Sequence, residues 1–281
     1  PGGQYGGSVE QLELLRNGDV DMTAGGLGLQ EAVLINQWWI IPSICFVYPQ
    51  DDPLGAFQDY FTAYLETTES PSLLAEEGST PLIPEDGADY ANGFHRAATR
   101  HIVASQPIRE PADADGVRMR APPTPYMLAA FNGIGFNAEV MQIDELQQAA
   151  NRGVVTASEG DPGQVLSAGL DELMSHYMQT NHLAYGHWYS AHTDLFQSLP
   201  SSDREVLRQA VKRSKEPAEE QIQENTAQQE QDLKDAGVEF VDDFDIEPFR
   251  DRALSAQRTL FEENSEDVPM TLDEITDITL G

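Results

Sequence analysis

Lysine is nearly missing from this chain. Of its 281 residues only Lys212, Lys215 and Lys234 are lysine, and all basic residues together number 16 against 48 acids, a formal net charge of −32. A face able to neutralise phosphates is therefore lacking, which excludes nucleic acid as a partner and disfavours anionic membrane surfaces. Cysteine is scarce too. The one thiol, Cys45, allows no internal disulfide, and its place in the apolar run IIPSICFVY reads as a strand in the core. No run of 18 or more apolar residues exists, so no direct membrane insertion is expected. Catalytic signatures are absent as well: there is no GxSxG, HExxH, phosphate-binding Walker loop or strand-linked GxGxxG. The glycine-rich AGGLGLQ at 24–30 reads as a backbone turn. No secretory leader is visible, yet the sequence opens at PGGQYGG without Met, as an exported protein with its front end removed or unrecorded would.

What is present is an acidic chain with enough apolar content, 40%, to pack a core of two lobes. Acid spread along such a chain with so little lysine reads as solubility in a salt-rich medium, where screening removes self-repulsion. Leu12 and Leu15 share one side of a helix over 8–17, and Phe57, Tyr60, Phe61 and Tyr64 recur at helical spacing between 54 and 77. RHIVAS at 100–105 and VRMR at 117–120 read as strands, and a helix follows near 126–131. The block from Glu139 to Gly160 reads strand, helix, strand, with Ile143, Leu146 and Ala150 on one helical face and Gly153 ending the helix. Residues 202–236 form one long helix that Pro217 can kink. The acidic tail after Glu262 reads as a solvated end. Strands alternating with helices predict an α/β fold with mainly parallel pairing.

His176, His182, His187 and His192 fall at intervals of six, five and five, which fit neither one helix face nor a zinc pattern, so they read as surface or capping groups. The arginines carry more. Arg118 and Arg120 stand two apart in a strand, hence on one face, and a guanidinium fork grips a carboxylate bidentately. The residues alone leave two readings open: a carboxylate clamp, or ion pairs with Asp113 or Asp115.

The order PGGQYGG, LELLRNGDVDM, RHIVASQPIREPADADGVRMRAPPTP and QIDELQQAANRGVVTASEGDP resembles the substrate-binding subunits of tripartite ATP-independent periplasmic (TRAP) transporters, over 1–252. Family members begin with a strand, helix and strand that precede the glycine-rich element, so the resemblance implies a fragment lacking a leader and part of the first lobe. It implies two α/β lobes joined by hinge strands and one long lobe-spanning helix, residues 1–97 and 186–225 forming lobe I and residues 98–185 and 226–281 forming lobe II. It also implies a receptor for a small organic acid, held between the lobes and passed to membrane permease subunits, in the periplasm or, in an archaeon, at the cell surface. No cofactor or metal is implied.

Arg120 matches the family's carboxylate clamp and Arg100 a second ligand-facing arginine, while Arg118 stands where lysine is usual and is assigned to the scaffold. Asp21 matches an acid near the pocket. Glu159 is kept, but the family's ligand-touching Asn falls at Gly160 or Asp161. Asn181, His187 and Trp188 are further pocket candidates. An α/β enzyme acting on a small acid through the histidines or carboxylates, or a sensor domain feeding a signalling partner, stand as alternatives.

Overall fold

Side-chain chemistry sets where the elements start and stop in the computed structural model, which describes residues 8–26, 44–67, 70–84, 87–264 and 271–281. Helix α1 (Ser8–Asn17) buries Leu12 and Leu15 and leads into β1 (Met22–Gly26). Helices α2 (Pro53–Thr67) and α3 (Ser70–Glu76) occupy the predicted helical stretch, and α2 buries Phe57, Tyr60 and Phe61. The short β2 (Ser79–Pro81) and long β3 (His95–Ala104) follow. Next come β4 (Arg118–Ala121), α4 (Pro125–Ile134) and β5 (Asn137–Val140). Helix α5 (Ile143–Asn151) sends Leu146 into the core, while Ile143 at its start is exposed, contrary to expectation. Gly153 adopts φ 64° just after it, and the turn closes through Gly153 N–H to Ala150 O at 2.8 Å and Val154 N–H to Ala149 O at 2.9 Å. Strand β6 (Ala157–Gly160), α6 (Pro162–Ser167) and β7 (His176–His192) complete the middle of the chain. Beyond lie α7 (Thr193–Ser198), α8 (Ser201–Asp235), β8 (Glu239–Val241), α9 (Glu247–Asn264) and α10 (Leu272–Leu280).

The strands form one eight-stranded sheet with the path β1-β7-β3-β6-β4-β5, and β2 and β8 also pair with β7. Pairing is mixed, not mainly parallel: β7 runs antiparallel to β1, β2 and β3, and β3 antiparallel to β6, while β4 is parallel to β5 and β6, and β7 to β8. The physical reason is β7 itself. A 17-residue strand at ~3.3 Å per residue runs roughly 55 Å, so a single crossing element returns alongside strands at both ends of the molecule. Helix α8, at 35 residues and ~1.5 Å each, spans a similar length and continues through Pro217.

Two further expectations change. Ile44–Tyr48 are buried but form no strand; Phe46 holds φ 66°. Side chains replace the missing ladder: Gln257 bonds both backbone groups of Cys45, Arg250 donates to the carbonyls of Phe46 and Tyr48 at 3.0 and 2.9 Å, and Phe46 N–H donates to His182 O at 2.6 Å. Residues 40–43 of that apolar block, and 27–30 of the glycine-rich stretch, lie outside the described residues; Gly25 and Gly26 end β1. The acidic tail is also more than a solvated end. Thr271 and Glu274 form a capping box that starts α10, which buries Leu272 and Ile275 and packs on α2.

Candidate functional site

Strands β3 and β7 stay in register from His95↔His187 to Arg96↔Gly186, shift before Thr99↔Ala184 and Arg100↔Leu183, and shift again before Ile102↔Met178. Between the last two pairs β7 spends five steps where β3 spends two. Asn181, with φ 43°, lies in this bulge, its N–H donating to His101 Nδ1 at 3.2 Å. Arg100 projects at this irregularity. Its Nε and Nη2 both bond Glu159 of β6, the latter at 2.7 Å, and Nη2 also donates to Gln164 Oε1 of α6 at 2.6 Å. Its guanidinium lies over the Tyr185 ring, 5.6 Å from the centroid.

Arg120, on β4, approaches the same carboxylate from the other side. Its Nη1 donates to Glu159 Oε1 at 3.2 Å and its Nε to Met141 O at 2.9 Å. The neighbouring Arg118 is exposed. For Arg120 the ion-pair partner is Glu159, not Asp113, which accepts the backbone N–H groups of Arg109 and Glu110 at 2.8 and 3.1 Å.

Glu159 has no side-chain exposure, and Arg120 and Arg100 keep 5% and 15%. Burial would raise the Glu159 pKa, but Arg100 and then His182 hold it well below the usual carboxylate range. Burial likewise opposes the charge on Arg100, and the two-bond contact with Glu159 outweighs it, raising that guanidinium. Arg120 is lowered, since burial exceeds its single contact with Glu159 and Arg100 stands close; an arginine remains charged regardless. Within hydrogen-bonding reach, two guanidinia share one carboxylate. The N–H groups of Arg100 Nη1 and Arg120 Nη2 are left over among the described residues.

Two histidines line this cluster. His182 is fully buried, bonded through Nδ1 to Thr180 Oγ1 at 2.9 Å, with Nε2 3.6 Å from Glu159 Oε2 and no hydrogen-bond partner for it among the described residues. Burial lowers its pKa. His101 is pushed down to about 3 by burial, then by His182 and Arg100. Surface or capping histidines were expected, and His182 corrects that: the bulge turns it inward between Phe46 and Phe131. Spacing that fits no helix face fits one long strand instead. His192 bonds Leu15 O at 2.9 Å through Nδ1, and His176 lies 3.7 Å from Glu239.

The remaining candidates divide by place. Gly160 ends β6, and Asp161 caps α6, accepting from Gln164 N at 3.0 Å and from Tyr185 OH at 3.0 Å. His187 stands two residues beyond Tyr185 on the same face, their rings 5.6 Å apart. Trp188 faces the other way, buried edge-on against Phe61 at 6.0 Å. Asn181 Nδ2 lies 3.4 Å from Gln50. Asp21 is not brought to this group: it is exposed and its carbonyl accepts from His192 N–H, nine residues along β7 from the partner of Arg100. Sequence reasoning missed Gln164, Tyr185, His101 and His182. Asp161-Pro162 was the available signal for Gln164, since a cap followed by proline starts a helix and places residue 164 in its first turn.

Comparison with known proteins bears on this arrangement. A C4-dicarboxylate-binding periplasmic protein DctP of Rhodobacter capsulatus is 27% identical over 249 residues, 85% of this chain and 67% of that one. A solute-binding protein of Verminephrobacter eiseniae is 27% identical over 155 residues, 55% of this chain and 45% of its own length. The crystal structure of a TRAP periplasmic solute-binding protein from Sulfitobacter sp. NAS-14.1, with bound β-D-galacturonate, superposes with a TM-score of 0.81 at 21% identity, covering 99% of this chain and 85% of that one. A second from Roseobacter denitrificans, with bound β-D-glucuronate, gives 0.81 at 20%, again over 99% and 85%. These likenesses establish the fold, a mixed α/β TRAP solute-binding architecture with a long helix, here α8. The model of a family of binding proteins, not enzymes, matches residues 1–264, and the chain belongs to it: bacterial extracellular solute-binding protein, family 7.

Proposed function

We propose that this chain is the extracytoplasmic receptor of a TRAP-type secondary transporter, binding a small organic anion by its carboxylate and delivering it to permease subunits in the membrane. One observation carries this reading: Arg100 and Arg120, nearly buried in a chain of net charge −32, converge on a single carboxylate and retain unused donors. A ligand carboxylate supplies the second anion that such a pair accommodates. The ligands named for the relatives, C4-dicarboxylate, β-D-galacturonate and β-D-glucuronate, are acids of that kind. In this reading Glu159 holds the two guanidinia in place, Asp161 fixes the turn beside them, and Asn181 and His187 border the ligand. Gly160 leaves room for the Gln164 side chain beside Arg100. Trp188 and Asp21 contribute at most through the frame of the first lobe.

The lobes divide at 97/98, 185/186 and 225/226. Support comes from the register shift after Arg96↔Gly186, where a ladder interrupted in both strands is suited to bending. Ligand contacts then favour the closed arrangement.

Calorimetry on the protein at its natural length, with D-glucuronate, D-galacturonate, succinate and L-malate, tests the reading. Binding of at least one acid is expected, with loss of about 100-fold or more in Arg120→Ala, the cost of removing one charge-assisted partner. No binding of any organic acid, or full affinity in Arg120→Ala, overturns it. The excess of 48 acids over 16 basic residues supports a salt-rich surrounding as well. A thermal midpoint that fails to rise with added salt contradicts that.

A further inference from the structure

Gly160 has no side chain, and the space one would fill is taken. A Cβ built there stands 2.7 Å from Gln164 Oε1 and 3.4 Å from Gln164 Cβ. The Gln164 amide thus occupies the position beside the end of β6, next to Arg100. Its orientation is fixed at both ends. Arg100 Nη2 donates to its Oε1 at 2.6 Å, and its backbone N–H is held by Asp161 Oδ1 at 3.0 Å, with Asp161 in turn gripped by Tyr185 OH at 3.0 Å. Since the oxygen faces Arg100, the NH2 faces away from it. That group has no partner among the described residues, and Gln164 is half-exposed. An amide donor pair, oriented by Arg100, therefore stands beside the arginine with no protein acceptor among the described residues.

We infer that Gln164 is a specificity-determining residue of the site, its NH2 donating to an oxygen on the carbon next to the ligand carboxylate held by Arg100. The ligand class selected is the acid with an oxygen at that carbon, a 2-hydroxy acid or a uronic acid, over one with a bare methylene. A ligand lacking that oxygen leaves the amide desolvated and unpaired, which is how a site built to hydrogen-bond a substrate group rejects its deoxy analogue. Gly160 serves the same end, because any side chain there displaces the amide.

This inference rests on the proposed receptor function, and the test separates the two. L-malate and succinate differ by one hydroxyl, so their affinity ratio, with D-glucuronate as a third ligand, reads the amide directly. Two variants are measured by calorimetry beside the natural protein. Gln164→Met keeps length and loses both polar atoms; Gln164→Glu keeps the acceptor for Arg100 and loses the donor. Natural protein that prefers malate and glucuronate over succinate, with both variants cutting that preference by about tenfold or more, supports the inference. Unchanged preference in Gln164→Glu assigns the residue to positioning Arg100 and overturns it, as does a natural protein that prefers succinate. Should the natural protein bind no acid, the receptor reading falls and this inference with it. If Gln164→Met fails to fold, Gln164→Glu alone decides.

Discussion

Arg96 and Arg100 lie four residues apart on β3, and each heads a cluster of two cations around one carboxylate. Around Glu219 the cations are Arg96, bonded through N, Nε and Nη2 at 2.7, 3.0 and 2.8 Å, and Lys215 at 2.6 Å. Around Glu159 they are Arg100 and Arg120. The stoichiometry is the same and the surroundings differ. Lys215 also donates to Phe94 O at 2.9 Å, so its cluster is spent on tying the middle of α8 to the strand. Glu216 and Glu220 line the adjoining groove of about 370 Å³ together with Lys212. The Arg96 side chain is 29% exposed, against 15% for Arg100 and 5% for Arg120. Each cluster keeps a guanidinium nitrogen without a partner among the described residues, Arg96 Nη1 in one and Arg100 Nη1 in the other, so depth makes the difference: donors near the surface are met by water, and donors held deep in the molecule can take a ligand.

That contrast predicts unequal costs. Glu159→Gln leaves two buried guanidinia short of their counter-charge and should destabilise by about 3–5 kcal/mol in urea unfolding. Glu219→Gln should cost about 1 kcal/mol, since Arg96 reaches solvent. Equal costs would erase the distinction in depth.

A pH series sharpens it next. The folded pKa of His101, beside Arg100, is about 3 against ~6.5 when unfolded. Throughout that window the unfolded chain binds a proton that the folded chain refuses, so this contribution is whole above ~6.5 and declines as pH falls toward 3. His182 shifts in the same direction, through burial first. Glu159, depressed in the fold, contributes fully above ~4.3 and loses that contribution only below it, so it does not mask the histidines. Urea midpoints should fall from about pH 7 to about pH 4.5, and His101→Gln should fall less steeply. No difference in slope would place His101 in a wetter setting than its burial implies. The smallest effect belongs to Arg118→Ala: exposed at the start of β4, it should change stability by less than about 0.5 kcal/mol and leave ligand affinity intact.

Much of this was legible in the residues. Periodicity placed α1, α2 and the block around α5, because buried leucines and aromatics at helical spacing leave few other ways to hide them, and an almost unbroken run of helix formers placed the long α8. Matching to a known family singled out Arg100 and Arg120, twenty residues apart, where spacing alone made Arg118 and Arg120 equal candidates. What escaped was set by contacts distant in sequence. His182 points inward only because β7 bulges against β3, and Gln164 matters only because Gly160 leaves it room. Ile44–Tyr48 dispense with a strand because Arg250 and Gln257, two hundred residues later, bond their backbone. Periodicity is blind to such partners. The acidic tail misled for a related reason: two buried residues, Leu272 and Ile275, suffice to dock α10 despite its charge.

The most direct test compares the two clusters with one ligand. Calorimetric titration of the best-bound acid into Arg100→Gln and Arg96→Gln, at one salt concentration, separates a binding arginine from a clamping one. The account predicts a loss of about 100-fold or more for Arg100→Gln and less than about threefold for Arg96→Gln. Comparable losses in both, or a larger loss at Arg96, would contradict it.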